Sequence, residues 1–122
     1  MFPMLSTENL DRSVGFYRDL LGGVEMYRFP QGESPAFIVV RLGESDLGLG
    51  AITGAAPLHG QPVRPAQGHR MELCVYVDHV DTVVERLRAA SVPILVEPAE
   101  QPWGERVAYV SDPDGNLLML TQ

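Results

Sequence analysis

The chain has 122 residues, the size of one domain burying roughly two-thirds of its unfolded surface, and its 45% apolar and 20% charged residues exclude a disordered chain. Sixteen acidic residues face nine basic ones, all arginine. The net charge of -7 makes nucleic acid a poor partner and a cationic ligand a better one. The single cysteine, Cys74, excludes an internal disulfide.

Met1-Phe2-Pro3 is followed by Glu8 and Asp11, with no basic segment and no apolar run long enough for a signal peptide or a membrane span. The expected location is the cytoplasm, with no membrane partner. MLST reads as a first short strand. In NLDRSVGFYRDLLGG the residues Leu10, Val14, Tyr17 and Leu21 form one helical stripe, widened by Phe16 and Leu20. Asn9 or Asp11 can cap this helix, and Gly22-Gly23 stops it. FIVVRL and DLGLG follow as strands.

Residues 54–68 hold six Gly and Pro, which argues for an exposed connector. The strand RMELCVYV comes next. It sets Met71, Leu73, Val75 and Val77 on one face and Glu72, Cys74 and Tyr76 on the other. The apolar list is expected to pack on the helices and the mixed list to face a binding surface. DHVDTVVERLRAASVPI repeats the helical pattern with Val80, Val83, Val84 and Leu87, Asp78 as a possible cap and Pro93 as terminator. RVAYVS and NLLMLT close the chain as strands, joined by SDPDGN, where Gly115 can take the left-handed conformation of a bulged hairpin.

The two halves share a plan. Glu8 meets Asp78, Leu10 meets Val80, Val14 meets Val84, Val40 meets Val110 and Leu47 meets Leu117, all at an offset of 70 residues. An internal repeat of a β-α-β-β(-β) unit follows. The domain organisation expected is one domain over 1–122, made of module 1–53, connector 54–68 and module 69–122.

LDRSVGFYRDLLG resembles the first-helix signature of the vicinal oxygen chelate superfamily, the glyoxalase, bleomycin-resistance and extradiol-dioxygenase group. SDPDGNLLML resembles its closing hairpin, and PWGERVAYVSDPDGN is most similar to the bleomycin-resistance-like branch. The resemblance implies an α+β fold of two βαβββ modules whose sheets curl into an incomplete barrel around a cleft, within a homodimer. In the metal enzymes of the group, His, Gln or Glu ligands sit on the first and last strand of each module. Carried onto this sequence, those places fall at Phe2 and Glu72, and at Leu49 and Met119, again 70 residues apart.

One carboxylate beside Phe, Leu and a thioether does not make a divalent metal site, so neither metal nor other cofactor is expected. His59, His69 and His79 lack the spacing that sets two rings on one helical face. Asp112, Asp114 and Asn116 imitate the opening of a calcium loop, but Leu117 stands where that loop needs glycine, which leaves a turn.

The ligand-binding residues expected are Glu72, Trp103, Met119, Phe2, Leu49, Tyr76, Phe37, Tyr109 and Arg106, with Tyr27 as further stacking surface. Three readings of Glu72 stay open: paired with an arginine such as Arg41 or Arg106, accepting hydrogen bonds from a cationic ligand, or acting as a metal-free general base. The function expected is metal-independent binding of a small cationic or aromatic molecule, akin to antibiotic sequestration. A small-molecule lyase, isomerase or dioxygenase is the alternative.

Overall fold

Asn9 starts the first helix. Its side-chain oxygen accepts a hydrogen bond from the Arg12 backbone N–H at 3.0 Å, filling one of the donors that a helix start leaves unpaired. The helix runs as α1 over Leu10–Val14 and widens into a π-helix over Gly15–Leu20, burying Leu10, Ser13, Val14, Phe16 and Tyr17. Gly22 ends it with φ +79, a conformation that costs glycine little.

This computed structural model describes residues 1–52 and 71–122 and divides into two compact units, Met1–Pro65 and Ala66–Gln122. The connector expected over 54–68, with His59 and His69, lies outside the described residues. In the first unit β1 (Met4–Thr7), β2 (Val24–Phe29), β3 (Phe37–Leu42) and β4 (Ser45–Ala51) accompany α1. In the second, β5 (Glu72–Tyr76) precedes α2 (Val80–Ala89), followed by β6 (Ile94–Glu100), β7 (Arg106–Ser111) and β8 (Leu117–Thr121). No helix among the described residues is long and apolar enough to cross a membrane.

Each unit holds one mixed sheet, ordered β1-β4-β3-β2 and β5-β8-β7-β6, with β1–β4 and β5–β8 parallel and the other pairs antiparallel. The expectation of sheets curled into an incomplete barrel is overturned. Each ladder ends at an edge strand on both sides, and no pairing among the described residues joins those edges as closure requires.

The βαβββ plan calls for three strands after each helix, but the segments forming β2 and β6 were not assigned from the sequence. Both are edge strands, largely exposed, and both carry register irregularities, so neither shows the alternation of a half-buried strand.

One face of each sheet carries the helix. In the first unit Leu5, Leu49 and Ile38 lie side by side across β1, β4 and β3, with Leu47 and Val40 in the next such row, all buried under α1. In the second, Leu118, Leu120, Ala108 and Val110 form the equivalent layer beneath Val80, Val84 and Leu87. Asp78 does not cap α2. The cap residue is His79, which makes no side-chain cap bond, and the Gln122 side-chain oxygen accepts from the Val80 N–H instead. Gln122→Ala should therefore lower stability by about 0.5–2 kcal/mol. An unchanged urea midpoint would show this long-range cap to be energetically idle.

The turn after β7 is held by Asp112. Its carboxylate accepts from the backbone N–H groups of Asp114 and Asn116 and from the Asn116 side chain at 2.7–3.0 Å, while Gly115 takes φ +84. Asp112 is spent on the turn.

Candidate functional site

The face of each sheet opposite its helix is built by the alternate residues. On the second sheet, Cys74 of β5, Met119 of β8, Tyr109 of β7 and Val96 of β6 stand in one cross-strand row. Side chains directly opposite on neighbouring strands are neighbours in space. Glu72 and Tyr76 flank Cys74 on the same face, as alternation requires, and both are exposed. Tyr109 donates its hydroxyl hydrogen bond to the Met119 sulfur at 3.3 Å.

Trp103 joins this group through its loop. Gly104, at φ +100, turns the chain so that its N–H meets the Gln101 carbonyl, while the Gln101 N–H meets that of Glu105. The Trp103 indole, exposed, donates from Nε1 to the Glu105 carboxylate at 2.8 Å. Glu105 in turn acts on Cys74. Desolvation pushes the thiol above its ordinary pKa, and the charges of Glu105 and then Glu72 push it the same way. The thiol is therefore protonated at neutral pH.

Glu105 was not singled out in the sequence, although it stands in the quoted WGER string. The signal available was position: it directly precedes β7 and lies two residues from Trp103. Replacing both Glu72 and Glu105 with glutamine should lower the thiol pKa and speed iodoacetamide alkylation of Cys74 at pH 7.5. Alkylation at the parent rate would remove the two charges from the thiol's surroundings.

Arg106 leaves this face. Its guanidinium binds Asp81 of α2 at 2.6 and 2.8 Å and reaches Glu100 at 3.4 Å, holding the Asp81 carboxyl below the usual carboxylate range. Arg41 is likewise held by Asp46. Among the described residues, neither Glu72 nor Glu105 belongs to an ion pair, and Arg41 and Arg106, the arginines named for Glu72, are both held by other carboxylates.

On the first sheet the face opposite α1 carries Phe2, Met4, Tyr27, Phe29 and Phe37. The Tyr27 and Phe37 rings lie 6.2 Å apart, tilted by 57°. Gly48 is their floor: a Cβ there would meet Met4 at 2.9 Å, Phe37 at 3.0 Å and Phe2 at 3.2 Å. Leu49 points to the other face and is wholly buried in the core.

That placement corrects Leu49 as a site residue, and the cause is a turn. Val40 pairs with Leu47, whereas Val110 pairs with Leu118, so beyond the hairpin the repeat offset becomes 71. The hairpin after β3 closes over Gly43-Glu44, and the one after β7 uses residues 112–116. The partner of Met119 in the first unit is therefore Gly48.

The resemblance assigned the metal-ligand places to Phe2, Glu72, Leu49 and Met119, and with Gly48 in place of Leu49 they hold Phe2, Glu72, Gly48 and Met119. One hard donor among a ring, a glycine and a soft thioether does not fit a divalent metal centre of the His, Gln and Glu type. No group of three or more His, Cys, Asp and Glu that could hold an ion occurs among the described residues.

The chain is similar to several solved structures. TioX from Micromonospora sp. ML1 is 24% identical, with 99% of this chain and 96% of that chain covered at a TM-score of 0.77. A glyoxalase/bleomycin resistance protein/dioxygenase family enzyme from Burkholderia phytofirmans PsJN is 22% identical over 97% and 93%, TM-score 0.81. These two carry the fold alone. Lactoylglutathione lyase from Agrobacterium tumefaciens is 25% identical over 99% and 91%, TM-score 0.69. No curated protein matches. The model of the Glyoxalase/Bleomycin resistance protein/Dioxygenase superfamily matches residues 3–120, nearly the whole chain, and the chain belongs to that superfamily.

Proposed function

We propose that the open face of the second sheet binds a small cationic molecule carrying an aromatic ring, with no metal ion taking part. One observation carries this reading: Glu72 and Glu105, two carboxylates with no ion-pair partner among the described residues, border a floor of Cys74, Met119 and Tyr109. A cation gains from carboxylates that no arginine has already neutralised. A ring gains from the exposed indole of Trp103 and the phenol of Tyr109, and a cation over either ring adds a further attraction. The net charge of -7 draws such a ligand toward the protein.

On the same reading Phe2, Phe37 and Tyr27 belong to a second, uncharged surface on the first sheet. Arg106 and Leu49 take no direct part. The protein is proposed to act in the cytoplasm as a homodimer in which 1–122 serves as one functional domain. Lyase, isomerase or dioxygenase chemistry stands second. It draws on the likeness to the Agrobacterium lyase, yet a metal-assisted form of it needs donors that Phe2, Gly48 and Met119 do not supply.

Trp103 is the sole tryptophan, so its fluorescence reports on this face. Titration with 1-methylquinolinium, a cationic aromatic probe, should change that emission saturably, while the neutral isostere 1-methylnaphthalene should bind at least about tenfold more weakly, a difference of roughly 1.4 kcal/mol. Trp103→Ala, followed by calorimetry, should weaken the probe and leave the oligomer unchanged. Equal affinity for the charged and neutral compounds would overturn the reading.

A further inference from the structure

Two sulfur donors lie next to each other on the second sheet. Cys74 on β5 and Met119 on β8 are register partners in a parallel pair, and their side chains stand on the same face. Adjacent strands are roughly 4.8 Å apart, so side chains of a register pair on one face lie within reach of a shared ligand. Cys74 is exposed and within reach of solvent.

The surroundings favour a cation. Glu72 stands two residues from Cys74 on the same face, and the charge of Glu105 reaches the thiol. Tyr109 donates to the Met119 sulfur, which fixes the thioether and leaves a lone pair for a second partner. The same face also holds a buried polar group. Thr121, next after Met119 on the same face of β8, is wholly buried, and its hydroxyl has no hydrogen-bond partner among the described residues. Buried hydroxyls are rarely left so unless a water or ligand completes them.

We infer that Cys74 and Met119 form a site for a soft monovalent cation of the Cu(I) or Ag(I) class. Thiolate and thioether donors select such ions, and a thioether is a poor ligand for zinc and harder ions. Binding breaks the Cys74 S–H bond, releases one proton to solvent and forms one metal–thiolate bond. Met119 adds its sulfur lone pair, and no oxidation state changes. This site shares the Cys74–Met119 floor with the cationic-aromatic reading but draws its binding from the sulfur atoms rather than the Trp103 ring.

The test uses Ag(I) in chloride-free buffer with the full chain, isotope-labelled at its methionine methyl groups. One ion per chain should bind. The Met119 methyl resonance should shift while those of Met4 and Met26 stay in place. Cys74→Ser should abolish uptake. Met119→Leu, which keeps the side-chain volume, should weaken it at least about tenfold. An unmoved Met119 methyl, with Met119→Leu binding as tightly as the parent, would reduce the site to an ordinary exposed thiol and overturn the inference. So would uptake by Cys74→Ser. Loss of 1-methylquinolinium binding alone would leave the silver result intact, so the two sites fail separately.

Discussion

Replacing Glu72 and Glu105 together with glutamine should weaken 1-methylquinolinium binding about tenfold or more and leave 1-methylnaphthalene unaffected. Glutamine keeps the size and hydrogen-bonding reach of each side chain and removes only its charge. Both carboxylates are solvent-accessible, so their attraction is screened. Parent affinity should fall as sodium chloride is raised from about 0.05 to 0.5 M, and the double variant should show a flatter dependence. Calorimetry at the two salt concentrations reads both effects. A double variant that binds the cation as tightly as the parent, with the same salt slope, would place the binding energy elsewhere.

Leu49→Ala should lower stability by about 2–5 kcal/mol, a large share of the margin of a domain this size. Leu49 is wholly buried between Leu5 and Ile38 beneath α1, and truncation leaves a cavity that the two strands on either side cannot close. Affinity for 1-methylquinolinium in the molecules that remain folded should not change, because Leu49 is not on the second sheet. Urea unfolding followed by circular dichroism measures the first, and fluorescence titration below the transition the second. A stable Leu49→Ala protein with weakened binding would restore Leu49 to the site.

Glu72 and Leu49 show where sequence reasoning carries and where it stops. The helices were legible because Leu10, Val14 and Tyr17, like Val80, Val84 and Leu87, recur at helical spacing and are buried. The face shared by Glu72, Cys74 and Tyr76 was legible because a strand alternates. Strands β2 and β6 were not, since an exposed, bulged edge strand leaves no periodic trace. Arg106 was misplaced because its partner Asp81 is 25 residues away on another element. Glu105 was missed because its role depends on a tight turn at Gly104 that brings it back to the indole.

Leu49 was misassigned for a subtler reason. The repeat holds its offset from the first helix through β3 and β7 and then gains one residue in the turn. In a strand, one residue is the difference between core and surface.

That added residue bears on how such a module can change its ligand. LLMLT in β8 is apolar at four consecutive positions, so its composition would tolerate either set of alternate side chains facing inward. The choice is made outside the strand, by the length of a turn that Asp112 holds shut. In a duplicated gene, a single-codon insertion there can exchange which residues of the last strand are shown to a ligand while every codon of the strand stays as it was. Diversification of this face therefore has a route through the hairpin, one that a comparison of strand residues alone would record as no change.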